Sequence, residues 1–200
     1  MEGCVFVISA PSGAGKSTLI QRLLSADPRL HFSVSYTTRP PRPGEVHGVD
    51  YFFISPEDFL RLREEGGLVE WVEQFGYFYG TGTEWVRRTI RTGADALLDL
   101  EPRGAMAIKA MFPAAVLIFI LPPSPEELER RLRARGALSP RELALRLEQG
   151  REELRQAPGY DYLVINDELS RAQADLQAII TAARLRSSRL WPHLAGRFQL

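Results

Sequence analysis

Lysine is nearly missing from this 200-residue chain: only Lys16 and Lys109 stand among its 25 basic side chains, and arginine supplies the other 23. The base composition of the coding genome accounts for such a bias more simply than thermostability does. It makes a lysine inside a glycine loop conspicuous. Cysteine is scarcer still, and Cys4 alone excludes both an internal disulfide and a thiolate zinc cluster. The three histidines, His31, His47 and His193, lie in unrelated contexts, so no general base stands out. The longest apolar runs, such as Ala114 to Leu121, are too short to span a bilayer. Glu2 stands where a secretory signal would carry positive charge, and the apolar run after it enters a glycine loop rather than a cleavage site. A cytoplasmic location is the expectation. The formal net charge is zero, which argues against broad adhesion to nucleic acid or membrane.

What is present reads as one α/β domain. The hydrophobic share of 44% and charged share of 25% are ordinary for a packed globular chain. Val5 to Ser9 forms a buried strand, followed by a glycine loop and a helix carrying Leu19, Leu23 and Leu24, which Asp27-Pro28 ends. Alternating β-formers from His31 give way to a proline-rich turn and then Tyr51 to Ile54. A helix over 56–65 has Ser55 as its N-cap and Gly66-Gly67 as its stop. LVEWVEQFGYFYGT is a strand pair turning at Gly76, and a helix runs from about Glu84 to Arg91. Residues 94–100, 115–121 and 162–165 are further strands, with helices from Ser124-Pro125 onward, on both sides of a Gly136 to Pro140 hinge, and from Leu169 to about Arg186 to close the fold. In the arginine-rich helix, Glu126/Arg130 and Glu127/Arg131 are expected i,i+4 pairs.

The stretch SAPSGAGKST carries the first chemistry. It matches a phosphate-binding loop except that Ala10 replaces the first glycine. Such a loop needs inward backbone N–H groups, a helix N-terminus, a cation and a hydroxyl for Mg²⁺. Gly13 and Gly15 allow the close approach, Lys16 is the cation and Ser17 the hydroxyl. Ala10 has only to leave the strand, which a methyl group permits. The loop implies ATP or GTP binding, not a reaction.

Three stretches, SAPSGAGKST, SVSYTTRPPRPGEVHGVDYFF and VEWVEQFGYFYGT, together resemble the guanylate kinase family, with RLRARG and YDYLVIND in support. The resemblance runs over residues 4–187. It implies a P-loop nucleoside-monophosphate-kinase-like α/β fold, with a parallel-sheet core (1–32, 93–134 and 156–200), an inserted mixed α/β GMP-binding lobe (33–92) and a helical lid (135–155). It also implies transfer of the γ-phosphoryl group of ATP to GMP or dGMP, with Mg²⁺.

The resemblance further implies ATP contacts from Ala10, Pro11, Ser12, Gly13, Ala14, Gly15, Lys16, Ser17, Thr18 and Asn166. On the acceptor side it implies Ser35, Arg39, Arg42, Tyr51, Glu70, Tyr79, Gly80, Thr81 and Glu101. Arg39 and Arg42 flank a stiff Pro40-Pro41 turn, so both forks can face one phosphate that Tyr51 and Tyr79 also reach. Taken as isolated residues they read first as solvated loop charges and core tyrosines, a reading that the adjoining prolines and the two nearby tyrosines weaken. Glu70 suits the N1–H and N2–H₂ donors of guanine, with Ser35 and Thr81 on the polar edge, or it is an outward-facing strand residue. Asp99 at a strand end orients Mg²⁺ through water beside Ser17. Glu101 stands where the family more often has aspartate, and Pro102-Arg103 where it has methionine and glutamine. Lys16, Arg42, Arg135 and Arg146 are the catalytic candidates, the last two as lid arginines. Asn166-Asp167 either touches adenine or caps a helix. A sugar-phosphate kinase would leave Glu70 without a base donor, and a binding-only module would not need Lys16.

Overall fold

The computed structural model describes residues 1–74, 76–134 and 139–198. A β-branched apolar run forms β1 (Val5–Ser9), buried at every position, and α1 (Lys16–Ala26) leaves the loop after it. Next come β2 (Leu30–Phe32), β3 (Tyr36–Thr37), β4 (Phe52–Phe53) and α2 (Pro56–Glu64), where the Ser55 hydroxyl accepts the Asp58 N–H at 3.0 Å. The hairpin of β5 (Leu68–Gln74) and β6 (Tyr77–Gly82) turns through Gly76, which is left-handed at φ 77°. α3 (Thr83–Arg91), β7 (Asp95–Asp99), α4 (Pro102–Met111), β8 (Val116–Leu121) and α5 (Pro125–Ala134) return the chain to the core. α6 (Pro140–Arg155) opens with a reciprocal Ser139/Glu142 capping box, then a 3₁₀ turn, β9 (Tyr162–Ile165), α7 (Leu169–Arg184) and α8 (Ser187–Leu194) follow.

The core sheet runs β2-β7-β1-β8-β9 and is parallel throughout. Its strands alternate between two apolar layers. Phe6, Ile8, Leu97, Ile118 and Ile120 meet Leu19 and Leu23 of α1 and Leu176 and Ile180 of α7. Val5, Val7, Leu98, Leu117 and Phe119 meet Val86 of α3 and Ile108 of α4. Each such side chain contributes about 1.5–3 kcal/mol by leaving water, so continuous apolar strands suit a sheet covered on both faces. In the register, Ile8 pairs with Asp99 and Ser9 with Phe119, which sets the acid at the end of β7 beside the exit from β1. A second sheet, β4-β3-β6-β5, is mixed: β3 and β4 are parallel, the other pairs antiparallel.

Away from the loop end, Arg184 of α7 joins three elements. Its Nε donates to Asp95 at 2.6 Å and a terminal nitrogen to Asp27 at 2.5 Å, while Asp95 also accepts the Cys4 N–H at 2.5 Å. Burial pushes the Cys4 thiol up to about 11, which leaves it inert.

Four expectations need correction. The β-rich run after His31 is two strands in different sheets, because β2 joins β7 of the core and β3 joins β6. α4 was not expected; Pro102 is its first residue, where a missing N–H costs nothing. α7 stops at Arg184 and α8 follows it, so the earlier helix does not close the chain. Arg130 pairs with Glu127 rather than Glu126: Glu127 receives both Arg130 and Arg131 at 2.7 Å.

Candidate active site

The loop at the end of β1 closes on itself through the Ala14 N–H, which donates to the Pro11 carbonyl at 3.0 Å. Gly13 (φ 98°) and Gly15 (φ 93°) are left-handed, where an L side chain costs about 1–2 kcal/mol. They are also crowded. A Cβ at Gly13 would stand 3.1 Å from the Leu128 and Leu132 side chains of α5, and one at Gly15 would strike the Asn166 amide nitrogen. Ala10 is buried and packs in the core layer of α1 and α7, so its methyl is a core group and not an obstacle. α1 starts with no side-chain cap and no acid in its first turn. Its free N–H groups and dipole therefore face the loop opening, an arrangement suited to phosphate oxygens. Ser17 and Thr18 are exposed on that first turn, as is Ser12 in the loop.

Asn166 is 5% exposed, and its Nδ2 donates to the Ala14 carbonyl at 2.7 Å. Glu168 is the N-cap residue of α7 and makes no side-chain cap, so Asn166 holds the loop from behind and does not cap that helix. Lys16 forms an ion pair with Asp99. The strand-end acid and the loop cation thus meet, as the register of β1 and β7 requires.

α6 lies across the loop with one face. Arg146 reaches the Ser12 hydroxyl at 3.4 Å, Gly150 packs where an added Cβ would be 3.5 Å from Pro11, and Ala157 beyond the helix enters the core. Positions 146, 150 and 153 share that face at helical spacing, so Glu153 also faces inward. Burial pushes the Glu153 carboxyl up to about 7; the Glu101 charge adds to the rise and the Lys16 ammonium opposes it. The sequence reading missed Glu153. The spacing from Arg146 was its only signal, and it means nothing until α6 is seated on the loop. Arg135, the other expected lid arginine, lies outside the described residues, as does most of the hinge.

The second sheet gathers most of the acceptor-side candidates. Glu70 on β5 accepts the Thr81 hydroxyl of β6 at 2.8 Å. Burial raises its carboxyl above the ordinary range, the Thr81 hydrogen bond partly offsets that, and the Glu101 charge adds to it. Gly104 of α4 packs on Glu70, with its virtual Cβ 3.0 Å from Glu70 Cγ, and Gly80 lies against the Glu70 backbone. Glu101, the N-cap residue of α4, is exposed, and its charge acts on both Glu70 and Glu153.

Tyr51 and Tyr79 meet edge to face at 6.1 Å, and Arg39 stacks over Tyr51. Burial raises the Tyr51 hydroxyl, and Tyr79 adds to that rise. Ser35 is half-buried just before β3. Arg39 is buried and bonded through two nitrogens to Glu45, whereas Arg42 is exposed and makes no ion pair among the described residues. Glu45 was also missed by the sequence reading.

The guanylate kinase family model matches residues 3–183 of the chain. The guanylate kinase of Escherichia coli K12 is 47% identical over 190 residues, covering 94% of this chain and 92% of the relative. That of Geobacter metallireducens is 43% identical and covers 100% of this chain and 98% of its own length. Among solved structures, guanylate kinase from Anaplasma phagocytophilum superposes with a TM-score of 0.77 at 32% identity, covering 100% of this chain and 97% of that one. With the loop, the parallel core and the second sheet in place, the chain belongs to the guanylate kinase family and is an ATP:GMP phosphotransferase, yielding GDP and ADP.

Proposed function

We propose that the acceptor base is read by Glu70. Among the described residues its half-buried carboxylate is answered only by neutral groups of Thr81, and the charge that acts on it is that of another acid, Glu101. A buried anion in that position is costly until donors reach it. Guanine brings two adjacent donors, N1–H and N2–H₂. This is the observation that carries the assignment, with Ser35, Gly80, Thr81 and Glu101 completing the base pocket and Arg39, Arg42, Tyr51 and Tyr79 the acceptor-phosphate pocket.

On this reading residues 33–92 are the acceptor lobe, 135–155 the lid, and 1–32, 93–134 and 156–200 the core. ATP lies on residues 10–18, with Asn166 fixing the loop behind it. Lys16 exchanges Asp99 for the outer phosphates of ATP. A GMP phosphate oxygen forms the new P–O bond to the γ-phosphorus as the bond to ADP breaks, in line. The nucleophile is already an oxyanion, so no proton has to be abstracted. Arg146 and Arg135 neutralise charge on the transferring oxygens as the lid excludes water.

Ser17 and, through water, Asp99 would hold Mg²⁺; two oxygen donors suit an ion that takes the rest of its shell from phosphates and water. Bound there, the ion would supply positive charge to offset that of the ATP phosphates. Among the described residues no helix is long and apolar enough to cross a membrane. We place the enzyme in the cytoplasm, acting on free nucleotides and not on nucleic acid. A coupled ADP-release assay with GMP, dGMP, AMP, UMP and a ribose phosphate tests the base assignment. Turnover confined to GMP and dGMP is expected, and equal turnover of AMP would refute it.

A further inference from the structure

The segment from Arg39 to Glu45 carries Pro40, Pro41 and Pro43, which have no N–H to donate. Gly44 is left-handed at φ 91° with open space around it, and one backbone bond, from the Glu45 N–H to the Arg42 carbonyl at 3.0 Å, spans the turn. So the backbone alone does little to fix it. The Glu45 carboxylate does more. Its Oε1 accepts Arg39 Nη2 at 2.8 Å, and its Oε2 accepts both Arg39 Nη1 at 2.9 Å and the Arg42 N–H at 2.7 Å. Arg39 Nη1 also donates to the Pro40 carbonyl at 2.8 Å. The guanidinium is further flanked by the rings of Tyr51 and Phe53, at 5.4 and 5.7 Å.

Arg39 therefore has one edge committed to Glu45; the Tyr79 hydroxyl also meets the guanidinium, and the N–H groups of the other edge remain for a second anion. Its charge is balanced by Glu45, while the neighbouring Arg42 side chain remains exposed and without an ion pair among the described residues. One carboxylate grips the side chain of the first arginine and the backbone of the second.

We propose that Glu45 is a positioning residue for the acceptor phosphate: it sets the Arg39 fork and the Arg42 backbone in one register, so that both arginines meet the same GMP phosphate. The inference rests on the acceptor-pocket reading above. Arg39 supplies fixed direction and Arg42 the uncompensated charge, a division that a bidentate guanidinium allows and an ammonium would not.

The test uses the full chain with Glu45→Gln, Arg39→Ala and the double variant. Calorimetry measures GMP and guanosine binding, and the coupled assay gives kcat and KM for each substrate. Glu45→Gln should weaken GMP at least tenfold, in the range of about 10–100-fold that misplacing a binding group costs. Guanosine affinity and the KM for ATP should stay at wild-type values, because neither involves the acceptor phosphate grip. Arg39→Ala should cost far less in the Glu45→Gln background than alone, since the two act as one unit. If Arg39→Ala leaves GMP binding intact, the acceptor-pocket reading itself fails. If Arg39→Ala weakens GMP and Glu45→Gln does not, the Glu45 role alone fails. Tighter GMP binding in Glu45→Gln also overturns it, since the carboxylate would then be competing for the phosphate's place. Joint loss of guanosine and GMP binding, with a lowered melting temperature, would reduce Glu45 to a fold staple.

Discussion

Replacing Glu70 with glutamine keeps the shape of the side chain and removes its charge, so it separates base recognition from folding. In the protein without nucleotide, burial and the Glu101 charge both disfavour ionised Glu70, and the Thr81 hydroxyl and backbone N–H only partly offset them. The folded-state pKa lies above the unfolded value, so the native state binds the proton more tightly. Folding stability from this group is fully present below the unfolded pKa and is lost as pH rises through the folded one. Glu70→Gln should therefore leave the melting temperature at pH 8 unchanged or raised. Catalysis moves the other way. On the proposed reading two guanine donors would face two carboxylate oxygens in the wild type, while the glutamine amide offers one acceptor and turns an NH₂ toward the other donor. Losing one charge-assisted hydrogen bond costs about 1.5–3 kcal/mol. That predicts a fall of about tenfold to a hundredfold in the GMP:AMP ratio of kcat/KM. The coupled assay with both nucleotides and melts at pH 6 and 8 read the two effects. An unaltered GMP:AMP ratio would refute the reasoning, and so would a variant that is both less stable and unselective, which points to disrupted packing on Gly104.

Gly15→Ala combines a left-handed φ of 93° with a collision on the Asn166 amide. It should lower stability by at least about 1–2 kcal/mol in denaturant melts and raise the KM for ATP more than that for GMP; unchanged ATP kinetics would contradict it. Glu153, pushed up to about 7, is also an acid with a raised folded pKa. It should cost stability progressively between the ordinary glutamate range and pH 7, and Glu153→Gln should flatten the fall in melting temperature over that window. An identical pH profile would remove Glu153 from the group of charges around Lys16. Arg184→Met leaves Asp95 buried with its backbone partner Cys4 but no cation. Breaking such a pair by one partner costs about 3–5 kcal/mol, so a loss under 1 kcal/mol in urea titration, about the value of an exposed pair, would show the network to be solvent-screened.

The strands and helices built on strong periodicity were legible without coordinates, because β1, β8 and α1 owe their form to local apolar patterning. α4 was not. Pro102-Arg103 stands out only as a departure from the family pattern, and Gly104 is explained chiefly by the Glu70 side chain of β5 that packs on it. The division between β2 and β3 was hidden for a similar reason: one β-rich run serves two sheets, and partner strands distant in sequence decide the split. Within the site, the form of the loop was legible because its glycines follow a strand and open a helix, all within one short stretch. Glu153 was not, since its environment arises from α6 lying on Pro11. Arg39 and Arg42 were read as a pair, but the carboxylate between them was passed over as part of a turn.

The two leucines of α5 that cover Gly13 bear on how this enzyme can be taken apart. Leu128 and Leu132 pack with Leu143 of α6 in a small apolar cluster and also roof the phosphate loop. A chimera that exchanges only residues 135–155 would bring a foreign α6 onto a native roof, with the seam running through that cluster. Grafting from Pro125 keeps the cluster whole, but it transplants the roof of the Gly13 loop along with α6. The transferable unit is therefore longer than the proposed lid, and a hybrid cut near residue 135 tests interface matching before it tests the chemistry proposed for that segment.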